Sequence, residues 1–167
     1  AILTTIPGVP PAALQSAVVI DQQGRIAARI IGAADGAELA RIVASVAADS
    51  GRLLWFKEIS SFTGVQVDRT NLAVSDANGD LWLLDRRNGS TLWKIDQLTN
   101  RGLTAPAFYG DLVVVGDKEG YLHWINISDG AFVAREREGR KGFAAAPLSV
   151  GTTLYVLTSK GTLVAYR

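Results

Sequence analysis

Short apolar segments separated by polar turns fill most of this chain. Residues 78–93 read NGDLWLLDRRNGSTLW, and residues 119–134 repeat the pattern as EGYLHWINISDGAFVA. In both stretches a glycine precedes an apolar segment ending in Asp or Asn, and a second turn glycine precedes another segment. Segments of this length bounded by Gly, Asn and Asp are typical of β-strands joined by tight turns. From residue 51 onward the pattern predicts strands and no helix.

The turn glycines recur at a fixed step. Gly79, Gly120 and Gly161 are equally spaced, and the step between them defines one repeat. The same step relates three other sets of landmarks: Gly89 and Gly130, Pro106 and Pro147, and Leu72, Val113 and Leu154. An all-strand repeat of this size is typical of a β-propeller blade, which is a sheet of four antiparallel strands. Because each blade is apolar on both faces and packs between two others, the repeat also predicts neighbouring blades.

The first third of the chain has a different pattern. Residues 16–32 contain two β-rich segments around the polar turn DQQG, which predicts a hairpin. Residues 36–48 space their apolar side chains by three, one and three positions, which predicts an amphipathic helix. The members of that apolar face are Leu39, Ile42, Val43 and Val46. The hairpin and the helix together predict a β-β-α segment.

These patterns predict two regions that meet at residues 49–51. Residues 1–50 form the β-β-α piece, and residues 51–167 form the propeller blades. The predicted fold class is therefore mainly β, a partial β-propeller of four-stranded antiparallel blades with a short N-terminal β-β-α segment. Residues 52–58 are equivalent to the fourth strand of a blade, and the last unit, residues 145–166, lacks that strand. This match predicts that the spare strand completes the last unit. It does so either in a second copy, which gives a homo-oligomer by strand exchange, or within the same chain, which leaves a three-blade wedge with open end faces.

Composition places the chain among soluble globular proteins, with 48% apolar and 20% charged residues. A net charge of +1 gives no global attraction to nucleic acid, so no nucleic-acid partner is expected. No apolar run approaches the roughly 20 residues of a membrane helix, and no membrane span is expected. The absence of cysteine excludes disulfides, thiolate metal sites and thiol chemistry. Because the chain has no methionine and begins at Ala1, we expect a processed, excised or engineered product.

Residues 76–80 have the Asp-x-Asn-x-Asp order that opens a calcium loop. The glycine and the later glutamate that such a loop needs are replaced by Leu81 and Arg87, so a hairpin turn is the better interpretation. His123 is the only histidine, which excludes a histidine metal cluster or a Ser-His-Asp triad. It is interpreted as a blade residue. We therefore predict no catalytic, cofactor-binding or metal-binding residues, no cofactor and no enzyme activity.

Four tryptophans could in principle form a stacking surface: Trp55, Trp82, Trp93 and Trp124. Trp55 and Trp93 each follow a turn glycine by four positions, so we interpret them as anchors that pack between blades. Residues 135–141, REREGRK, form a mixed charge run. The simplest interpretation is a solvated strand end and loop, and a rim contact for a partner is the alternative.

The blade residues resemble a known family. GLTAPAFYGDLVVVGDKEGYLHWINISDGAFVAR, within residues 51–167, is similar to the C-terminal blades of BamB-type outer-membrane assembly lipoproteins, which carry quinoprotein-like repeats. The resemblance implies a periplasmic, non-enzymatic scaffold that docks onto a BamA-like barrel subunit. It also implies a closed ring with more blades than this chain supplies. The docking loops of the family lie mostly upstream, so no partner-contact residue is assigned here.

Residues 1–50 resemble a different family. The stretch VVIDQQGRIAARIIG, followed by the predicted helix, is similar to the C-terminal part of TlpA/ResA-type periplasmic thioredoxins. The redox CxxC of that family is absent, and Gln15 occupies the position nearest its cis-proline. Thiol–disulfide exchange is therefore not expected. Two hypotheses follow for the whole chain: a BamB-like interaction scaffold, or an engineered or recombined chimera with no evolved activity.

Overall fold

The computed structural model describes residues 15–20, 26–32, 40–46, 53–61 and 63–167. All regular secondary structure in these ranges is β-strand, arranged in antiparallel sheets. This confirms the mainly β, propeller-type fold class predicted from the repeat. Within the described part of the chain, no helix has the length and apolarity needed to cross a membrane.

The first sheet, blade 1, has four strands in the order β1-β2-β3-β4. Its strands are β1 (Gln15–Ile20), β2 (Ile26–Gly32), β3 (Ala40–Val46) and β4 (Leu53–Ser61). The predicted hairpin of β1 and β2 is confirmed, with Ala17 opposite Ile30. The predicted helix at residues 36–48 is wrong because β3 occupies its centre and pairs with both neighbouring strands.

The N-terminal β-β-α expectation fails for a physical reason. A strand between two other strands can carry apolar residues at consecutive positions, as at Ile42 and Val43, and so can match a helical spacing. Val43 and Ser45 are both buried, two positions apart, as expected for one face of a strand. Pairing with β2 and β4 outweighs the helix propensity of the alanines in this segment.

Strand β4 also corrects the expectation of a spare strand at residues 52–58. It pairs with β3 in its own sheet, with Ala44 opposite Phe56 and Ser45 opposite Trp55. The basis for strand exchange between copies is therefore removed. Blade 1 crosses the predicted boundary at residues 49–51, and the division of the chain into two domains there stays a prediction.

The next two sheets are the complete blades predicted from the repeat. Blade 2 consists of β5 (Val65–Val67), β6 (Asn71–Ser75), β7 (Leu81–Asp85) and β8 (Thr91–Ile95). Blade 3 consists of β9 (Ala107–Tyr109), β10 (Leu112–Gly116), β11 (Tyr121–Asn126) and β12 (Phe132–Arg137). The last sheet has three strands, β13 (Leu148–Val150), β14 (Thr153–Leu157) and β15 (Leu163–Tyr166). The repeating glycines lie in the turns of these three sheets, with φ of 93°, 87° and 84° at Gly79, Gly120 and Gly161, a region that favours glycine.

Apolar clusters join each sheet to the next. Blades 1 and 2 share a core of Val43, Trp55, Ile59, Val65, Leu72, Val74 and Leu84. Blades 2 and 3 share a core of Ala73, Leu81, Leu83, Ile95, Leu98, Leu103, Val113, Val115 and Ile125. Blade 3 and the last sheet share a core of Ala107, Val114, Leu122, Trp124, Leu154 and Val156. Both faces of blades 2 and 3 are therefore covered, as expected for sheets packed between neighbours.

Candidate interaction site

A buried carboxylate lies between blades 2 and 3, just after β10. Oδ2 of Asp117 accepts hydrogen bonds from Nε2 of His123 at 2.8 Å and from Nε of Arg101 at 2.7 Å. Oδ1 accepts the backbone N–H groups of Glu119 at 2.9 Å and Tyr121 at 3.0 Å. The side chain of Asp117 has no exposed surface. Since every acceptor position is used, the carboxylate fixes both the turn and the imidazole of His123.

The electrostatics of this cluster favour the ionised form of Asp117. Burial opposes ionisation, but the hydrogen bonds from His123, the backbone of Tyr121 and Arg101 outweigh it and lower the pKa of Asp117 to about 2. Its charge is balanced by Arg101, whose Nη2 lies 2.6 Å from Oδ2. The cluster is thus a paired and fully hydrogen-bonded buried charge, which is stable in a protein interior.

At the position that corresponds to His123, blade 2 has a tryptophan, which has a larger ring and also contacts an aspartate. Asp76 and Asp117 occupy matching positions of successive repeats, and so do Trp82 and His123. Nε1 of Trp82 donates to Oδ2 of Asp76 at 2.9 Å. The ring nitrogen and carboxylate pair is therefore a repeated feature of these blades, in which His123 replaces a tryptophan. The repeat places Asp117 and His123 one period after Asp76 and Trp82, so this pair was recognisable in the sequence. The position of His123 on β11 confirms the prediction that it is a blade residue.

Three guanidinium groups surround one aromatic ring at the edge of this cluster. The guanidinium carbons of Arg101, Arg135 and Arg137 lie 5.6, 4.7 and 4.9 Å from the ring centre of Tyr121. These are cation–π distances. Arg135 and Arg137 are exposed on β12, and neither forms an ion pair with a described residue. The first part of the predicted charge run thus forms a basic patch on the outer strand of blade 3.

A cavity of about 500 Å³ opens beside this patch. Its lining comes from the loop after β8 and from strands β11 and β12: Gln97, Leu98, Arg101, His123, Phe132, Val133, Ala134 and Arg135. Phe132 and Val133 are 42% and 58% exposed. The cavity therefore combines an apolar wall with two arginines.

Two tryptophans connect neighbouring blades in the same way. Nε1 of Trp55 donates to the carbonyl of Arg86 at 2.8 Å, and Nε1 of Trp93 donates to the carbonyl of Ile127 at 2.7 Å. Each tryptophan lies on the outer strand of one blade, and each carbonyl lies in the outer turn of the next blade. The Trp93 ring also covers Gly130, where an added Cβ would lie 3.1 Å from the indole. These contacts support the interpretation of both residues as interblade anchors.

The other two tryptophans are likewise used in packing. Trp82 lies under Nζ of Lys94, 4.6 Å from its ring centre. Trp124 is buried between blade 3 and the last sheet, with the rings of Tyr109 and Tyr166 in edge contact at 6.0 and 5.0 Å. Trp55 and Trp82 thus pack between blades 1 and 2, Trp93 between blades 2 and 3, and Trp124 between blade 3 and the last sheet. The four tryptophans therefore do not form one shared stacking surface.

The calcium-like stretch at residues 76–80 forms the turn between β6 and β7. Oδ1 of Asp76 accepts the backbone N–H groups of Asn78 and Asp80, both at 2.9 Å. Oδ2 of Asp80 lies 2.6 Å from Nζ of Lys94. These carboxylates are thus occupied by the protein itself, as a hairpin turn requires. Within the described part of the chain, no group of three or more potential metal ligands comes together.

The outer face of the last sheet is apolar and uncovered by any described residue. Leu148 is opposite Tyr155, and Leu157 is opposite Leu163, so these side chains share one face. Leu148 and Leu163 are 59% and 65% exposed. A patch of this kind marks a surface that another protein element can cover.

A family model described as "Outer membrane protein assembly factor BamB" matches residues 11–95, just over half of the chain. The match includes β1 to β4 and continues through blade 2. It therefore crosses the composition break at residues 49–51. The TlpA/ResA-type resemblance of residues 1–50 gains no support, and neither does a chimeric origin, because one family accounts for both sides of the break.

Relatives carry the same description. The BamB of Pseudomonas aeruginosa is 47% identical over 123 residues, which cover 74% of this chain and 32% of that protein. The BamB of Escherichia coli K12 is 38% identical over 114 residues, covering 68% of this chain and 29% of that protein. The chain thus spans about a third of the length of the curated relatives it matches.

Solved structures give the same fold. The crystal structure of BamB from Moraxella catarrhalis matches with a TM-score of 0.68 and 26% identity, covering 89% of this chain and 45% of that one. The computationally designed Ika4 protein matches with a TM-score of 0.69 at 17% identity, covering 97% of this chain and 94% of that one, which shows likeness of fold alone. Blade architecture, repeat and family match agree, and the chain belongs to the family of outer membrane protein assembly factor BamB.

Proposed function

We propose that this chain forms the blades of a non-enzymatic scaffold for outer-membrane protein assembly, acts in the periplasm and docks onto a BamA-like barrel subunit. The family match across blades 1 and 2 is the observation that supports it most directly. Blades 2 and 3 are packed on both faces, while the last sheet exposes an apolar face and blade 3 exposes a basic patch. Exposed surfaces of this kind are typical of proteins that bind other proteins.

The chemistry of the described residues also favours a scaffold over an enzyme. The buried carboxylate of Asp117 is saturated by donors, and His123 uses Nε2 to bind it. A general base needs a lone pair that can reach a substrate. The Asp117 carboxylate has none to offer, because its oxygens accept hydrogen bonds from the turn, from His123 and from Arg101. This most polar cluster is therefore better suited to holding blades 2 and 3 together.

Co-purification tests the proposed partner. The complete gene product is tagged, expressed in its native host and extracted from the envelope in mild detergent, and the BamA-like subunit is measured in the eluate. A tagged periplasmic protein of unrelated fold is the control. We expect the barrel subunit to be enriched with the BamB-like protein alone. Equal amounts in both eluates, or fractionation of the protein with the cytoplasm, would contradict the proposal.

A cross-linking variant of this experiment locates the contact. A photo-reactive amino acid replaces either Asp129 or Lys160, which lie in exposed turns of blade 3 and of the last sheet. The buried Leu122 is the matched control position. An adduct with the barrel subunit from an exposed position, and none from Leu122, would place that blade against the partner. The family resemblance implies that the docking loops lie mostly upstream of residues 51–167. We therefore expect few adducts from Asp129 and Lys160.

A further inference from the structure

We propose that the cavity between blades 2 and 3 is a recognition site for an extended polypeptide segment that carries an acidic residue next to a hydrophobic one. The site and its ligand class go beyond the scaffold function, since neither refers to the barrel subunit. They rest on the geometry around His123, Arg135 and Phe132 alone.

The cavity exists at a position where the repeat changes its side chain. Trp82 occupies the corresponding site at the interface of blades 1 and 2, with Lys94 against its ring. At the interface of blades 2 and 3 the next repeat brings His123 to this position, which keeps the ring-nitrogen contact to an aspartate but has a smaller ring. The imidazole is smaller than the indole, and in this interface Phe132, which stands where the previous repeat has Thr91, lies against it. His123 lines the cavity and is 2% exposed.

The apolar wall of the cavity fits a hydrophobic side chain. Leu98 is buried at its base, while Phe132 and Val133 are half-exposed on β12. A volume of about 500 Å³ lies within the range of small-ligand sites and accommodates a large side chain with its neighbour. Phe132 also meets the ring of His123 edge to face at 6.1 Å, so the wall is held in place from behind.

The charge of the cavity selects a carboxylate. Arg101 is neutralised by Asp117 at 2.6 Å and by Glu119 at 3.2 Å. Arg135 lines the cavity, lies 4.7 Å from the ring centre of Tyr121 and forms no ion pair with a described residue. A guanidinium held over an aromatic ring has its donors directed outward, where a carboxylate can accept two of them. Among the described residues, Arg135 is the unpaired guanidinium in the cavity lining, and Arg137 lies beside it against the same ring, so the site suits a carboxylate. The nearby Glu119 disfavours a highly charged polyanion.

Peptide binding measures the proposal directly. The probe is a fluorescein-labelled decapeptide of glycine and serine that contains one central glutamate–phenylalanine pair. Two matched peptides replace the glutamate by glutamine or the phenylalanine by serine. We expect saturable fluorescence polarisation with the first peptide and binding at least about tenfold weaker with each of the others, as for the loss of one charge-assisted hydrogen bond or one buried aromatic ring.

Variants then assign the binding to this cavity. Arg135→Glu reverses the charge at the proposed site, and Arg69→Glu makes the same change in an exposed turn of blade 2. We expect Arg135→Glu to weaken binding of the glutamate peptide about tenfold or more and Arg69→Glu to leave it within about twofold. Equal losses in both variants would indicate general electrostatic attraction and overturn the proposal.

The cavity is tested by His123→Trp, which copies the residue at Trp82 and extends a larger ring into the cavity. We expect this variant to keep its circular dichroism spectrum and lose the glutamate peptide. If it does not fold, Phe132→Ser removes the apolar wall at an exposed position and is expected to weaken binding about tenfold. Absence of saturable binding to the unmodified protein, or unchanged binding in the folded variant used, would refute the site. Neither outcome depends on the barrel subunit, so this test and the co-purification can fail separately.

Discussion

Asp117 illustrates how a single residue combines turn formation, charge pairing and contact between blades. Its two oxygens satisfy backbone groups of its own turn, the imidazole of His123 and the guanidinium of Arg101 from the loop after blade 2. The sequence predicted the turn from Gly120, but not the partners. Arg101 lies 16 positions away, in a loop whose path follows no residue pattern. Contacts of that kind depend on how two blades are stacked.

The lowered pKa of Asp117 predicts a pH-dependent stability. Because the folded-state value is about 2 and the ordinary value is 3.8, the charged carboxylate stabilises the fold above pH of about 4 and this contribution is lost as the pH falls towards about 2. We expect Asp117→Asn to lower the free energy of unfolding by about 2 kcal/mol at neutral pH and by much less near pH 2. Urea unfolding at both pH values measures the difference, with the exposed Asp129→Asn as control. A constant difference across this range would show that the charge of Asp117 is not the cause.

Gly89 predicts a second effect at the residue scale. Its φ is 71°, and an added Cβ would lie 2.5 Å from Cε3 of Trp55. Gly110 has a similar φ of 57° but has no atom within 4 Å of such a Cβ. We therefore expect Gly110→Ala to cost about 1 kcal/mol from backbone strain alone, and Gly89→Ala to cost about 1–3 kcal/mol more. Thermal and urea unfolding compare the two variants; equal losses would mean that the indole moves aside without cost.

At the scale of elements, the strands of blades 2 and 3 were predictable and β3 was not. Turn glycines with positive φ recur at a constant step, so local chemistry and the repeat specify the same strand ends. Residues 40–46 contain no such landmark, and their adjacent apolar side chains suit both a helix and a fully buried strand. The choice between them depends on hydrogen bonds to β2 and β4, which are contacts between segments and are absent from local periodicity.

Trp93, one of the two interblade anchors, allows the contribution of β8 to the packing of blade 2 against blade 3 to be measured. Trp93 on β8 is half-buried and donates to the carbonyl of Ile127 in blade 3, whereas Leu92 beside it is 52% exposed. Trp93→Ala removes both the hydrogen bond and the contact with Gly130, so we expect a loss of about 2–3 kcal/mol in the free energy of unfolding. Leu92→Ala is the control on the same strand and is expected to change stability by less than about 0.5 kcal/mol. Similar losses in the two variants would remove the anchor role.

At the scale of the whole molecule, the sequence predicted the architecture better than it predicted the origin of the parts. The repeat after residue 51 indicated stacked blades, and the three shared cores between sheets have that arrangement. The composition break suggested a second ancestry for residues 1–50, but the family model extends from residue 11 across the break. A blade whose turn glycines depart from the constant step of its neighbours still folds as a blade when adjacent strands supply its pairing and its core.

The last sheet predicts the association behaviour of this chain in solution. Its outer face contains Leu148, Leu157 and Leu163, and none of the described residues covers them. Burying this face removes apolar surface from water at about 25 cal/mol per Å², so association through it is favourable. We expect the chain to sediment with a mass that rises with concentration.

Leu163→Lys tests whether this face is responsible. A lysine on this face would have to be desolvated on association, so the variant is expected to remain at the monomer mass over the same concentrations. Leu92→Lys introduces the same charge at another exposed leucine, on β8, and is expected to associate as the unmodified chain does. Sedimentation velocity distinguishes these cases. If the unmodified chain is monomeric throughout, or if both variants reduce association equally, the contact does not involve the outer face of the last sheet, and the apolar strip on β13 to β15 would be tolerated as free surface.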